Sequence, residues 1–145
     1  MKKGLLITSI LIILLVAVLG SYVLNQCYTL AIERNWSIQL PRSYDELYGI
    51  DSGQSFLGDG ERFYVFEYRD NHDVIAALSW KNGPNADIEE SISKILKSLG
   101  ASATFTPDFK SEYLYSTVVR SDGYSTLYLV FFESTHRLYL IESIF

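Results

Sequence analysis

The segment with the most suggestive chemistry is the acidic, glycine-rich run Gly58-Asp59-Gly60-Glu61. Two carboxylates on a turn could present oxygen ligands to a cation, or act as acid and base in a hydrolase. A calcium loop, however, needs a glycine at its sixth position and an acid at its twelfth. Counted from Asp51, these positions hold Phe56 and Arg62, so the pattern is not met. A tight turn leading into a strand is the simpler interpretation, and the run is kept as a candidate functional loop.

A second group of titratable side chains is the run Arg69-Asp70-Asn71-His72-Asp73. A metal site generally needs three or four converging ligands, and the only other histidine, His136, belongs to a different turn. The sequence also contains no nucleophile elbow, phosphate loop or dinucleotide fingerprint. A solvated turn is therefore the favoured interpretation of this run, and we predict no metal, no other cofactor and no catalytic residue.

Tyrosines form the third group, because the chain has 11 of them and several fall on predicted strands. Tyr113, Tyr115, Tyr128 and Tyr139 could form a surface on which sugars or a partner's side chains stack. The alternative is ordinary sheet packing with the hydroxyls at the rim. The four residues are kept as a candidate partner or ligand face.

The N-terminal part of the chain is dominated by an uncharged apolar segment, Leu5 to Leu24. Its 20 residues would form a helix about 30 Å long, which matches the hydrocarbon thickness of a bilayer. Lys2 and Lys3 precede it and predict a cytoplasmic N-terminus. We therefore expect a single-pass membrane anchor. Two alternatives are cleavage of a secretory signal near Gly20 and a lipoprotein lipidated at Cys27.

This interpretation divides the chain into three parts. Residues 1–28 are a cytoplasmic stub and transmembrane anchor, residues 29–35 a juxtamembrane connector, and residues 36–145 an extracytoplasmic domain. The expected location is the cell membrane, with the C-terminal domain outside. With Cys27 as the only cysteine, that domain has no internal disulfide and depends on packing.

The charge of the chain is unevenly distributed. The net charge is −5, but Lys2 and Lys3 are the only charged residues before Glu33, so the ten basic and 17 acidic residues that follow give −7. An acidic domain is repelled by phosphates. Nucleic acid is therefore excluded as a predicted partner.

The hydropathy pattern predicts one helix and six strands in the domain. Asp87 to Leu99 is the helix, since its apolar residues line one face and Gly100 suits a left-handed stop. A capping-box spacing predicts a helical turn from Ser43 to Tyr48. The predicted strands cover residues 36–40, 62–68, 74–80, 113–120, 125–132 and 137–144.

The expected fold class is α+β, with a transmembrane helix followed by an antiparallel sheet of about five or six strands and one amphipathic helix packed on it. The strand over 125–132 is apolar on both faces, with Leu127, Leu129 and Phe131 opposite Tyr128, Val130 and Phe132. One face is expected to take the helix. The other must be covered by the chain or by a partner.

The loop Gly53-Gln54-Ser55-Phe56-Leu57-Gly58-Asp59-Gly60-Glu61 resembles one in a family of small bacterial proteins, N-terminally anchored or secreted, that are uncharacterised. The resemblance covers about ten residues, the anchor layout and the aromatic strand after Glu61. It implies no activity and no site residues.

Three functions follow from these observations. The first is a membrane-tethered, non-catalytic interaction module or accessory subunit outside the cytoplasm, which binds an envelope protein. The second is a small-ligand or glycan-binding receptor domain that uses the tyrosine face. The third is a hydrolase that uses acidic residues of the 51–61 loop.

Overall fold

The computed structural model describes residues 2–53 and 59–145, and the side chains of residues 10–20, 28–53 and 59–145. The chain divides into two compact units, Met1–Arg42 and Ser43–Phe145. The elements in chain order are α1 (Lys2–Trp36), β1 (Tyr44–Asp51), β2 (Gly60–Tyr68), α2 (Asn71–Ala77), β3 (Lys81–Asn82), α3 (Ala86–Leu99), a 3-10 turn (Ala103–Phe105), β4 (Leu114–Val119), β5 (Thr126–Phe132) and β6 (Arg137–Ile144).

The first unit consists mainly of α1. Within the described parts of the chain, no helix combines the length and the apolarity needed to cross a membrane, so the prediction of a transmembrane helix over Leu5 to Leu24 is wrong. The envelope location, cleavage near Gly20 and lipidation of Cys27 stay predictions.

Helix α1 continues beyond the apolar segment Leu5 to Leu24. It continues through Trp36 and ends at Ser37, whose φ of 55° is left-handed and whose N–H donates to the Glu33 carbonyl at 2.9 Å. The predicted strand over residues 36–40 is therefore wrong. Two apolar residues of this segment are nevertheless buried: Trp36 at the end of the helix and Leu40 in the loop that follows.

The second unit is an α+β domain built on one six-stranded antiparallel sheet, which confirms this part of the predicted fold class. The strand order is β1-β2-β6-β5-β4-β3. The last three strands form the predicted meander, with Leu129 opposite Leu140 in β6 and opposite Ser116 in β4. The edges of the sheet are β1 and β3.

Helix α3 packs on one face of the sheet. Its buried residues Ile92, Ile95 and Leu96 join a core cluster with Val130 and Phe132 of β5. These strand residues point to the same face because side chains alternate along a strand. The prediction that one side of the meander takes the helix is confirmed.

The opposite face of the sheet is also buried within the chain. Leu127, Leu129 and Phe131 have no exposed surface, and the Trp80 ring lies 5.9 Å from that of Phe131. Covering by a partner is therefore not needed on this face.

Two segments adopt structures that local patterns did not predict. Tyr44–Asp51 is strand β1 and not a helical turn, because Tyr44 pairs with Tyr68 and stacks on Phe66 at 3.9 Å. Residues 74–80 were predicted as a strand, but Asn71–Ala77 is helix α2. Asp70 caps it by accepting a 2.9 Å hydrogen bond from the His72 N–H, a favoured N-cap contact.

Candidate interaction surface

The predicted tyrosine face lies on the side of the sheet covered by α3. Tyr113, Tyr115 and Tyr139 are buried members of the core cluster, and Tyr128 is half-buried against it. A surface for stacking needs rings that are open to solvent, and most of these four rings are not. The structure does bring them together, as members of the core.

The Tyr113 and Tyr115 hydroxyls hold the start of α3. Tyr113 donates to Glu89 Oε1 at 2.5 Å and accepts from the Asn85 N–H at 2.8 Å. Asn85 Nδ2 donates to the Tyr115 hydroxyl at 3.0 Å, while Asn85 Oδ1 caps α3 by accepting from the Ile88 N–H. Burial, followed by the hydrogen bond to Glu89, raises the pKa of Tyr113 to about 12.

Gly83 makes this arrangement possible through its close approach to the Tyr113 ring. A Cβ at Gly83 would lie 2.4–2.7 Å from three ring carbons, closer than real contacts. Gly83 also donates its N–H to the Tyr113 carbonyl at 3.0 Å. Together with Glu112, Glu133 and neighbouring residues, Gly83 and Tyr113 line a cavity of about 530 Å³.

The predicted functional loop is described in part. Gly58 lies outside the described residues, whereas Asp59, Gly60 and Glu61 are half-buried at the start of β2. Glu61 is held by its backbone, because its N–H donates to Ser52 Oγ at 3.0 Å and its carbonyl accepts from the Ser52 N–H at 2.9 Å. Asp59, Gly60 and Glu61 line a cavity of about 440 Å³ with residues of β6.

The remaining titratable groups among the described side chains lie apart from one another or in simple ion pairs. His72 is exposed at the start of α2, 3.4 Å from Asp73. The buried carboxylate of Glu142 lies 3.6 Å from the Arg62 guanidinium. Among the described residues, no three His, Cys, Asp or Glu side chains are placed to hold a metal ion.

The two sides of the sheet differ in how their exposed strand edges are protected. Natural proteins discourage edge pairing with charges and bulges. Strand β1 has both: Asp45, Glu46 and Asp51 are exposed, and the pairing with β2 shifts between Glu46 and Tyr48. The outer edge of β1 is therefore poorly suited to accept another strand.

Strand β4 lacks these protections over four of its six residues. On its outer side β3 covers only Leu114 and Tyr115, through Asn82 and Lys81. The remaining residues, Ser116-Thr117-Val118-Val119, carry no charge and pair with β5 without a bulge. They include three β-branched residues, which favour extended structure. We call Ser116–Val119 the β4 edge.

The direction of the backbone groups along the β4 edge follows from two hydrogen bonds. On the outer side, the Tyr113 carbonyl accepts from Gly83, and on the inner side the Arg120 N–H donates to Ser125. Because successive residues of a strand alternate in direction, the N–H and C=O groups of Thr117 and Val119 face outward. No described residue hydrogen-bonds to these four backbone groups.

Exposed apolar side chains accompany these groups. Val119 is 57% exposed, Tyr124 in the β4–β5 turn is 76% exposed and Phe145 after β6 is 78% exposed. The turn is fixed by Asp122, whose pKa is lowered by hydrogen bonds from the Ser125 and Tyr124 N–H groups. This end of the sheet thus combines unpaired backbone with large apolar side chains.

Sequence reasoning missed the β4 edge. The uncharged run Ser116–Val119 was visible within a predicted strand, but any strand of this composition can be a central one. What makes it an edge is the short pairing of Lys81–Asn82, which is a long-range contact. The signal that was available is the absence of a charge from this run.

Comparison of the chain with protein-family models, with curated proteins and with solved structures gave no match in any of the three. The resemblance seen in residues 53–61 therefore stays a prediction.

Proposed function

We propose that this chain is a non-catalytic protein-interaction module that accepts an extended segment of a partner protein on the β4 edge. One observation carries the proposal: on the uncharged β4 edge, the outward N–H and C=O groups of Thr117 and Val119 have no hydrogen-bond partner among the described residues. Such an edge is a ready template for a further strand.

The β4 edge supplies both affinity and selectivity. Four outward backbone groups would form hydrogen bonds, each worth about 0.5–1.5 kcal/mol net. The side chains of Thr117 and Val119 point to the α3 face and would lie beside alternate residues of the added strand, where cross-strand pairs of β-branched residues are favourable.

The burial of both sheet faces supports the same proposal, because it leaves the strand edges for a partner to bind. Both faces of the meander are already buried, one by α3 and the other with residues such as Leu127 and Leu129 at zero exposure. A partner that binds the sheet therefore has the edges available, and charges and a bulge protect β1.

The other predicted functions have less support. A glycan receptor would need the tyrosine face open, whereas Tyr113, Tyr115 and Tyr139 are buried. A hydrolase would need acids of the 51–61 loop to meet a substrate with a second catalytic group. Both stay predictions, as does the envelope identity of the partner.

The test is binding to a synthetic array of pentapeptides with Val, Ile or Thr at the third and fifth positions. Thr117→Pro removes one outward N–H, and proline is tolerated on an edge strand. We expect it to weaken binding by about tenfold or more, the equivalent of one hydrogen bond and a steric block. Thr117→Val is the matched control, because it keeps the backbone donor and should bind as the wild type does.

A second variant separates binding from folding. Val119→Lys keeps the whole backbone and adds a charge of the kind that protects natural edges, and Ser98→Lys on α3 adds the same charge away from the edge. We expect only Val119→Lys to lose binding. The proposal is wrong if the wild type binds no peptide, or if folded Thr117→Pro and Val119→Lys bind as the wild type does.

A further inference from the structure

Strand β3 marks where an added strand must stop. It lies on the outer side of β4, antiparallel to it, and begins at Lys81 opposite Tyr115. The residue before it, Trp80, lies outside this pairing, and its ring lies near Phe131 while its Nε1 donates to the Val74 carbonyl at 3.1 Å. A strand paired with Ser116–Val119 would therefore lie in line with β3 and meet the chain at Trp80 and Lys81.

The direction of an added strand decides which of its ends arrives there. An antiparallel strand runs in the same direction as β3, so its C-terminal end approaches Lys81. Its residue opposite Thr117 would lie two residue spacings, about 6.8 Å, from Lys81, with the one position opposite Ser116 between them. A chain that continued in line would collide with β3.

The charge at this point favours a carboxylate. Lys81 is exposed, and no described residue forms an ion pair with it. Its side chain lies on the α3 face, as do those of its partner Tyr115 and of Thr117. A parallel strand would bring an N-terminal ammonium or a continuing chain to the same place, and the ammonium would be repelled by Lys81.

We propose that the segment bound on the β4 edge is the C-terminal end of a partner chain, added antiparallel, with its terminal carboxylate beside the Lys81 ammonium. This inference rests on the proposed function. A carboxylate accepts charge-assisted hydrogen bonds from an ammonium, which are stronger than neutral ones. The residues opposite Thr117 and Val119 are the last and third-last of the partner, and β-branched or apolar side chains suit both places.

The experiment compares two forms of the same pentapeptides, with Val, Ile or Thr at the last and third-last positions. One form has a free C-terminal carboxylate and the other a C-terminal carboxamide. We expect the free acids to bind about fivefold more tightly than the amides, the upper range for an ion pair at the surface. Lys81→Gln should remove this difference, whereas Lys110→Gln, a change at an exposed lysine outside the sheet, should leave it intact.

Each outcome separates the inference from the proposed function. Equal binding of acids and amides, lost in Thr117→Pro, would overturn the terminal carboxylate and leave strand addition standing. A preference for acids that persists in Lys81→Gln would overturn the role of Lys81. Binding of neither form would overturn strand addition itself. A preference that follows an internal Asp or Glu of the peptide in both forms would overturn the C-terminal end as the source of the carboxylate.

Discussion

Removal of the Tyr113 hydroxyl should destabilise the domain. In Tyr113→Phe the ring keeps its place in the core cluster, but the hydroxyl no longer donates to Glu89 Oε1 or accepts from the Asn85 N–H. The Asn85 N–H keeps a 3.2 Å contact with Glu89 Oε1, so it is not left without an acceptor. The loss is therefore that of one strong and one ordinary hydrogen bond at the start of α3.

The magnitude follows from the surroundings of these groups. A hydrogen bond to a charged group contributes about 1.5–3 kcal/mol and a neutral one about 1 kcal/mol. Part of this is recovered, because the Asn85 N–H keeps the Glu89 carboxylate as its acceptor. We expect a loss of about 1–2 kcal/mol in the free energy of unfolding. For a domain of this size that corresponds to a fall of about 5–10 °C in Tm.

The measurement is chemical and thermal denaturation of Tyr113→Phe, with Tyr124→Phe as the matched control. The control removes the same atom from a ring that is 76% exposed and should change stability by less than about 0.5 kcal/mol. Equal stability of Tyr113→Phe and the wild type would refute the structural role of this hydroxyl. A loss of binding without loss of stability would instead return Tyr113 to the predicted ligand face.

Two further predictions concern stability. Burial raises the pKa of Tyr113 to about 12, and burial is also the main cause that raises the pKa of Tyr139. In the unfolded chain both tyrosine hydroxyls ionise near their ordinary pKa of 10.0. The stability that the neutral hydroxyls contribute is therefore fully present below that pH and should be lost as pH rises through the folded pKa values. A free energy of unfolding that stays constant between pH 8 and about 12 would contradict this. Leu129→Ala should lower the free energy of unfolding by about 2–5 kcal/mol, because truncation of a fully buried side chain leaves a cavity. Val119→Ala, at an exposed side chain, is the control and should change stability little. Equal denaturation midpoints for the two variants would show that the sheet face opposite α3 is not packed.

The elements that were predicted well are those whose signals are local and agree with each other. Helix α3 has an apolar stripe and a left-handed Gly100 with φ of 65°, and it forms within one residue of the predicted range. The strands β4 to β6 have turn residues between apolar runs, so their pairing is between neighbours in sequence.

The elements that were missed depend on contacts between distant residues. Tyr44–Asp51 becomes a strand because β2 offers it a partner, which outweighs the local capping-box pattern. The run Val74–Ala77 is apolar throughout, so its hydropathy does not separate a strand from the helix that Asp70 caps.

The site was less predictable than the fold. The four tyrosines lie together on one side of the sheet, but their exposure depends on where α3 packs, and the strand pattern does not encode the placement of a helix. The β4 edge depends on strand order and on the length of β3, which is two residues. Neither quantity can be read from hydropathy.

The most direct measurement of the central claim is amide hydrogen exchange at single-residue resolution along β4. In the free protein, the Thr117 and Val119 amides should exchange much faster than those of Ser116 and Val118, which face β5. Addition of a bound pentapeptide with a free carboxylate should slow Thr117 and Val119 and leave their neighbours unchanged. Slow exchange of Thr117 and Val119 in the free protein, or unchanged exchange at both with the peptide bound, would contradict strand addition at the β4 edge.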